Sequence, residues 1–284
     1  MEFRTIVDIP ESDWKLEPMA QMLFVGSCFA DNMGRRFQQE LFGAVVNPYG
    51  VMYNPASVMH SVDKFAAEWE QTPAEQRDAF PQVAVLTMGT NHVYRLRQTG
   101  EIVDNCQKRP QSLFDEELLT IDECAGFLRR SIQRLSDYNP LVRVVLTVSP
   151  IRYRKYGYHG SQLSKSTLLI AVDQIVSEME CATYFPSYEI VNDELRDYRF
   201  YASDMLHPSE QAVEYIYQRF GATYFSESTI SFLRQWQPIQ QALNHKPFNP
   251  ESPEYKYFRE KAEQQKAALI AQFSHGSGHG NDFL

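Results

Sequence analysis

Two short stretches of the sequence hold residue types that can make and break an ester bond. Gly26-Ser27-Cys28-Phe29-Ala30 puts a serine between a short apolar run and a segment of helical spacing, and Ala202-Ser203-Asp204-Met205-Leu206-His207-Pro208-Ser209 puts an aspartate three residues before a histidine. A serine after a buried strand and at a helix entrance presents its hydroxyl where the helix N-terminus stabilises developing negative charge. The same position suits a plain N-cap, for which serine is a favoured residue. The distant pair moves the balance toward catalysis: Asp204 can hold one imidazole nitrogen and favour the transient cation, while the other nitrogen of His207 accepts the serine proton. His92 and His159 are rival bases because each follows a predicted strand end, whereas His245, His275 and His279 lie in the C-terminal region. Cys28 is a rival nucleophile, since a thiolate near a helix N-terminus can have a lowered pKa; the alternative is a small side chain packing the helix start.

These residues need a scaffold, and the hydrophobic pattern supplies one. Met22-Leu23-Phe24-Val25 is a short apolar run ended by Gly26, and Ala30, Met33, Phe37 and Leu41 then recur at helical spacing, which reads strand, tight turn, helix. Gly43 is expected to end that helix, ahead of a second strand at Ala44-Val45-Val46. Asn54-Pro55 opens a helix toward Trp69, and Thr120 and Glu123 have capping-box spacing before the apolar stripe Cys124, Phe127, Leu128, Ile132, Leu135. Buried strands are predicted at Val83–Met88, Val142–Val148 and Ala182–Phe185, with a helix through Leu168, Val172 and Ile175 before the last of them. Repeated strand–helix units imply a mainly parallel sheet covered on both faces, with its ligand crevice beyond the carboxyl ends of the strands. Beyond Phe220 the pattern is helical, and Ser252-Pro253 starts an amphipathic helix to about Phe273. The expected domains are a catalytic unit over residues 1–225, a helical extension over 226–273 and a flexible tail over 274–284.

Composition narrows the field. The 284 residues are 43% hydrophobic and 13% aromatic, enough for a sizeable core. With 27 Lys+Arg against 36 Asp+Glu the chain carries a formal charge of −9, and its basic residues are scattered, so nucleic acid is not an expected partner. The N-terminus lacks a basic segment followed by an apolar run, and no stretch is apolar enough to span a bilayer; a cytoplasmic protein with no membrane partner is expected. Cys28, Cys106, Cys124 and Cys181 show no CxxC pairing, which points to reduced thiols and away from a structural zinc site; no metal or cofactor is expected. The C-terminal helices can pack against the core or against a second copy of the chain.

The motif Gly26-Ser27-Cys28-Phe29-Ala30 resembles the signature of the GSCFA family, relatives of the SGNH hydrolases. Further resemblance lies in Asn47-Pro48-Tyr49-Gly50-Val51, Asn105-Cys106 with Lys108, Ser149-Pro150-Ile151-Arg152, and Tyr184-Phe185-Pro186-Ser187-Tyr188-Glu189 through Ser209. The resemblance implies an α/β fold, a three-layer α/β/α flavodoxin-like sandwich, with the serine after the first strand and the Asp-x-x-His loop near the end of the domain. It also implies an oxyanion hole from the serine's own N–H, a glycine N–H and an asparagine side chain. Ser27, Gly50 and Asn91 are the positional matches, with Asn105 as an alternative to Asn91; a turn-supporting role is the competing reading for both asparagines.

Tyr153, Tyr156 and Tyr158, with Tyr198, Phe200 and Tyr201 ahead of Asp204, crowd the expected mouth of the crevice. They either stack on a sugar and shape an acyl pocket, with Tyr153, Tyr156 and Tyr201 as the substrate contacts, or are ordinary aromatic packing. The sequence thus reads as a carboxylic-ester hydrolase with a Ser27–His207–Asp204 triad, acting on a small-molecule or glycan ester. Removal of an O-acetyl group from a carbohydrate is the specific version expected. A non-catalytic carbohydrate-binding or interaction protein on the same fold, and an acyltransferase, are the rival classes.

Overall fold

The computed structural model describes residues 4–104, 106 and 109–274. In chain order the main elements are β1 (Gln21–Gly26), α1 (Cys28–Gln39), β2 (Gly43–Val46), α2 (Pro55–Gln71), β3 (Val83–Met88), β4 (His92–Leu96), β5 (Ile102–Val103), β6 (Phe114–Leu118), α3 (Ile121–Tyr138), β7 (Arg143–Val148), α4 (Gly157–Glu178), β8 (Ala182–Tyr184), the short α5 (Ser187–Glu189), α6 (Glu210–Tyr224), α7 (Glu227–Asn244) and α8 (Pro253–Ser274). They fall into two compact units, one of Ala20–Thr223 with the residues up to Glu11, the other of Ser12–Met19 with the chain from Tyr224 onward.

The first unit is the expected α/β/α sandwich. Its sheet runs β2-β1-β3-β7-β8, parallel throughout, the strand order of flavodoxin-like doubly wound folds. Alternation along the strands sends Leu23, Val25, Ala84, Leu86, Val144 and Leu146 to one face, where they pack on Val58 and Val62 of α2, Leu128 and Ile132 of α3, and Leu168 and Val172 of α4. On the opposite face Phe24 meets Phe37 of α1 at 5.2 Å between ring centroids, and Phe37 meets Tyr217 and Phe220 of α6 edge-on. Each such buried side chain stabilises by about 1.5–3 kcal/mol, which is why both faces read as unbroken apolar runs.

Local signals set the helix starts. Asn54 caps α2 by accepting the Ser57 N–H at 2.9 Å, with Pro55 at its first turn, and Thr120 and Glu123 form the capping box of α3. Gly43, expected to end α1, does not: the helix ends at Gln39, Leu41 takes the left-handed conformation (φ 63°), and Gly43 opens β2, where a Cβ would strike the Gln21 amide. A small antiparallel sheet, β5-β4-β6, leaves the sandwich after β3. Of β4 only Val93 is fully buried, and pairs such as Arg95–Glu117 at 2.6 Å tie the strands, so hydrophobic patterning does not announce it.

The second unit is built on Leu16, whose N–H reaches the Tyr224 carbonyl at 2.6 Å and whose carbonyl accepts the Ser226 N–H and the Thr229 hydroxyl. Trp14 stacks on Tyr224, and Phe232 of α7 meets Phe273 of α8. Among the described residues no helix is long and apolar enough to cross a membrane.

Candidate active site

Ser27 stands between β1 and α1 with no solvent exposure. It is the N-cap of α1: its Oγ accepts the Phe29 N–H at 3.2 Å, and its own N–H donates to the Thr87 carbonyl at 3.2 Å. The preceding residue must be glycine. Gly26 has φ 149°, and a Cβ there would lie 2.1 Å from the Thr87 carbonyl oxygen. Asn47, left-handed at φ 39°, braces this crest from the side: its Oδ1 accepts the Gly26 N–H at 2.8 Å and its amide donates to Asp31 at 2.6 Å. The family-like stretch around Asn47 carried no such role in the sequence reading. Its signal is the run Asn-Pro after a strand, where an asparagine tolerates the left-handed backbone.

Asp204 and His207 form a self-contained loop. Asp204 Oδ2 lies 2.5 Å from His207 Nδ1, and Oδ1 accepts the Leu206 and His207 N–H groups at 2.9 and 3.0 Å. Those two backbone donors, then the imidazole, hold the Asp204 carboxyl down at about 2. An ionised carboxylate there accepts from Nδ1–H, an arrangement that in a neutral imidazole leaves Nε2 as the acceptor. Met205 turns the loop in the left-handed region (φ 59°). Arg152, in the loop after β7, anchors it with its N–H on the Leu206 carbonyl (3.1 Å) and Nη1 on the Met205 carbonyl (3.0 Å). Ser27 after β1 and the His207 loop beside β7 therefore share the carboxyl edge of the sheet. Asn32 of α1 and Pro208 also line one cavity of about 540 Å³. Among the described residues no hydrogen bond joins Ser27 to His207, whose side chain is 41% exposed.

The expected oxyanion donors all have other acceptors. The Ser27 N–H goes to Thr87, the Gly50 N–H to the Asn47 carbonyl at 2.9 Å, and Asn91 Nδ2 to the Leu119 carbonyl at 2.7 Å. Each is committed by local turn or strand geometry that the spacing of the motifs does not reveal. Asn105 lies outside the described residues, as do Lys108, His275 and His279.

The aromatic residues divide between two cavities. Tyr153 and Tyr156 line one of about 390 Å³ with Tyr53, His92 and Tyr94. Tyr201 lines another, of about 230 Å³, with Tyr198, Arg152 and Arg196. His92 pairs with Glu116 at 3.0 Å and lies flat on Tyr156, burial holding it below the usual imidazole range, whereas His159 is exposed on the first turn of α4. Burial pushes the Cys28 thiol up despite the helix N-terminus, so it is not an activated thiolate. A fully buried Lys165, absent from the sequence reading, donates to the Ser149 carbonyl at 2.6 Å and is pushed down to about 7 by loss of water.

The sequence pattern of the GSCFA family matches residues 21–81 and 64–220, and that of the GSCFA domain protein, C-terminal domain, matches 236–277. No curated protein matches the chain. Among solved structures the chain is similar to a platelet activating factor protein from Streptococcus pneumonia (19% identity, TM-score 0.43, covering 72% of this chain and 84% of that one). It is also similar to a catalytic mutant of the acetylxylan esterase Axe2 from Geobacillus stearothermophilus (17% identity, TM-score 0.43, 74% and 95%). A third likeness is to a carbohydrate esterase family 3 protein from Talaromyces cellulolyticus (11% identity, TM-score 0.40, 76% and 99%).

Proposed function

The chain belongs to the GSCFA family, and from that premise we propose that it is a serine-dependent carboxylic-ester hydrolase. The observation that carries the reading is the Asp204–His207 pair, 2.5 Å apart and tied by Arg152 to the sheet edge at which Ser27 caps α1. In the proposed reaction Ser27 Oγ attacks the ester carbonyl as His207 Nε2 takes its proton. Collapse of the tetrahedral intermediate breaks the ester C–O bond, and His207 returns the proton to the leaving alcohol. Water, deprotonated by His207, then attacks the acyl-Ser27 ester, the acyl C–Oγ bond breaks, and His207 returns the proton to Ser27 Oγ as the acid leaves. Asp204, kept ionised by two backbone N–H groups, holds the imidazole ring and stabilises its cation.

A carbohydrate O-acetyl ester is the proposed substrate class. What supports it is the cavity beside the His207 loop, where Tyr198 and Tyr201 offer ring faces and Arg152 a guanidinium held above them. Hydrolysis of an aryl acetate, then of a panel of acetylated sugars, tests the proposal. Ser27→Ala and His207→Ala are each expected to lower kcat by about 10³-fold or more. A Ser27→Ala protein as active as the wild type would overturn it.

A further inference from the structure

Attack at Ser27 turns the ester carbonyl oxygen into an anion, and donors must face it. The Ser27 and Gly50 N–H groups already have backbone acceptors, and one of the two N–H bonds of the Asn91 amide is taken by the Leu119 carbonyl. Two hydroxyls near this edge, those of Thr87 in β3 and of Tyr153, are buried and without a hydrogen-bond partner, and of the two the phenol is the stronger donor. A buried hydroxyl left unpaired costs free energy that phenylalanine at the same place would avoid, and an acceptor arriving beside it would recover that cost.

The surroundings place this hydroxyl beside the nucleophile. It lies against Gly89, just past β3, so closely that a Cβ on Gly89 would stand 2.0 Å from it. β1 and β3 pair with Gly26 opposite Thr87, and the Ser27 N–H donates to the Thr87 carbonyl at 3.2 Å, so Ser27 and Gly89 leave the ends of neighbouring strands. The segment Met52-Tyr53 crosses both strand ends: the Met52 N–H donates to the Gly26 carbonyl at 2.8 Å, and the Tyr53 carbonyl accepts the N–H groups of Gly89 and Thr90. The Tyr53 ring meets Tyr153 edge-on at 6.0 Å. Both rings line the 390 Å³ cavity. Burial holds Tyr153 well above the ordinary phenol range, so it keeps its proton and can donate it in a hydrogen bond.

We infer that the Tyr153 hydroxyl is a catalytic hydrogen-bond donor to the carbonyl oxygen of the ester as it becomes the oxyanion. The inference rests on the ester-hydrolase reading of Ser27, and it gives Tyr153 a chemical task beyond lining a cavity. No proton is transferred: the phenol keeps its hydrogen, and the interaction strengthens as charge builds on the acceptor.

The test is Tyr153→Phe, which removes one oxygen and keeps the ring. Aryl acetate kinetics should show kcat lowered by about 10²-fold with KM little changed, and the rate of covalent labelling by a fluorophosphonate should fall in parallel. Because the lost hydroxyl had no partner, Tm should not fall. Gly89→Ala, whose methyl group would displace the phenol, should reproduce the kinetic loss. An unchanged kcat in Tyr153→Phe overturns the inference while leaving the hydrolase reading intact, and so does a loss that only tracks a lowered Tm. Failure of the wild type both to hydrolyse aryl acetates and to label overturns the hydrolase reading and the inference with it.

Discussion

The two halves of the proposed machinery are built in opposite ways. Ser27 is fully buried and fixed by the sheet: its N–H lies on β3, its hydroxyl caps α1, and Asn47 braces the glycine before it. His207 and Asp204 stand at the surface, 41% and 44% exposed, in a loop held by its own hydrogen bonds and by two from Arg152. Ser27 therefore cannot shift without disturbing the sheet, whereas His207 belongs to a surface loop outside it.

The largest effect is expected at the buried crest before Ser27. Gly26→Ala forces a methyl group against the Thr87 carbonyl at an unfavourable φ, and a loss of more than about 4 kcal/mol in denaturant unfolding is expected, enough to leave little folded protein. A normally stable Gly26→Ala protein would show that the crest is not fixed as described. From the loop side, Asp204→Asn should leave most of the stability and remove most of the activity, lowering kcat by about 10²–10⁴-fold. The sign of its pH dependence follows from the depressed carboxyl: any stability Asp204 contributes is present above its unfolded value of about 3.9 and is lost as pH falls through about 2. The Asp204→Asn loss should thus persist at every pH from about 4 to 8; recovery of the rate anywhere in that range would remove Asp204 from its orienting role.

Legibility in the sequence followed the same division. The crest was readable because buried parallel strands are continuous apolar runs and helices repeat every third or fourth residue: Met22–Val25 and the stripe from Ala30 to Phe37 gave strand, turn and helix directly. The caps at Asn54 and Thr120 were readable for a different reason, since they act within four residues. What escaped depends on distant or polar partners. β4–β6 hide because their pairing is exposed and ionic, and Leu16 finds partners some two hundred positions away in Tyr224, Ser226 and Thr229. The site shows the same limit. Residue types identified Ser27, Asp204 and His207 as candidates, but not the engagement of the Ser27, Gly50 and Asn91 donors, the brace of Asn47, or the buried amine of Lys165.

The most direct test of the central claim is intact-protein mass spectrometry after fluorophosphonate treatment, with peptide mapping, on the wild type, Ser27→Ala, Cys28→Ala and His207→Ala. One adduct is expected, on Ser27, in the wild type and in Cys28→Ala at rates within about 3-fold of each other, because the Cys28 thiol is not activated. None should form in Ser27→Ala, and His207→Ala should label at least about 10²-fold more slowly. Labelling that survives Ser27→Ala, or that proceeds at the wild-type rate without His207, would contradict the account.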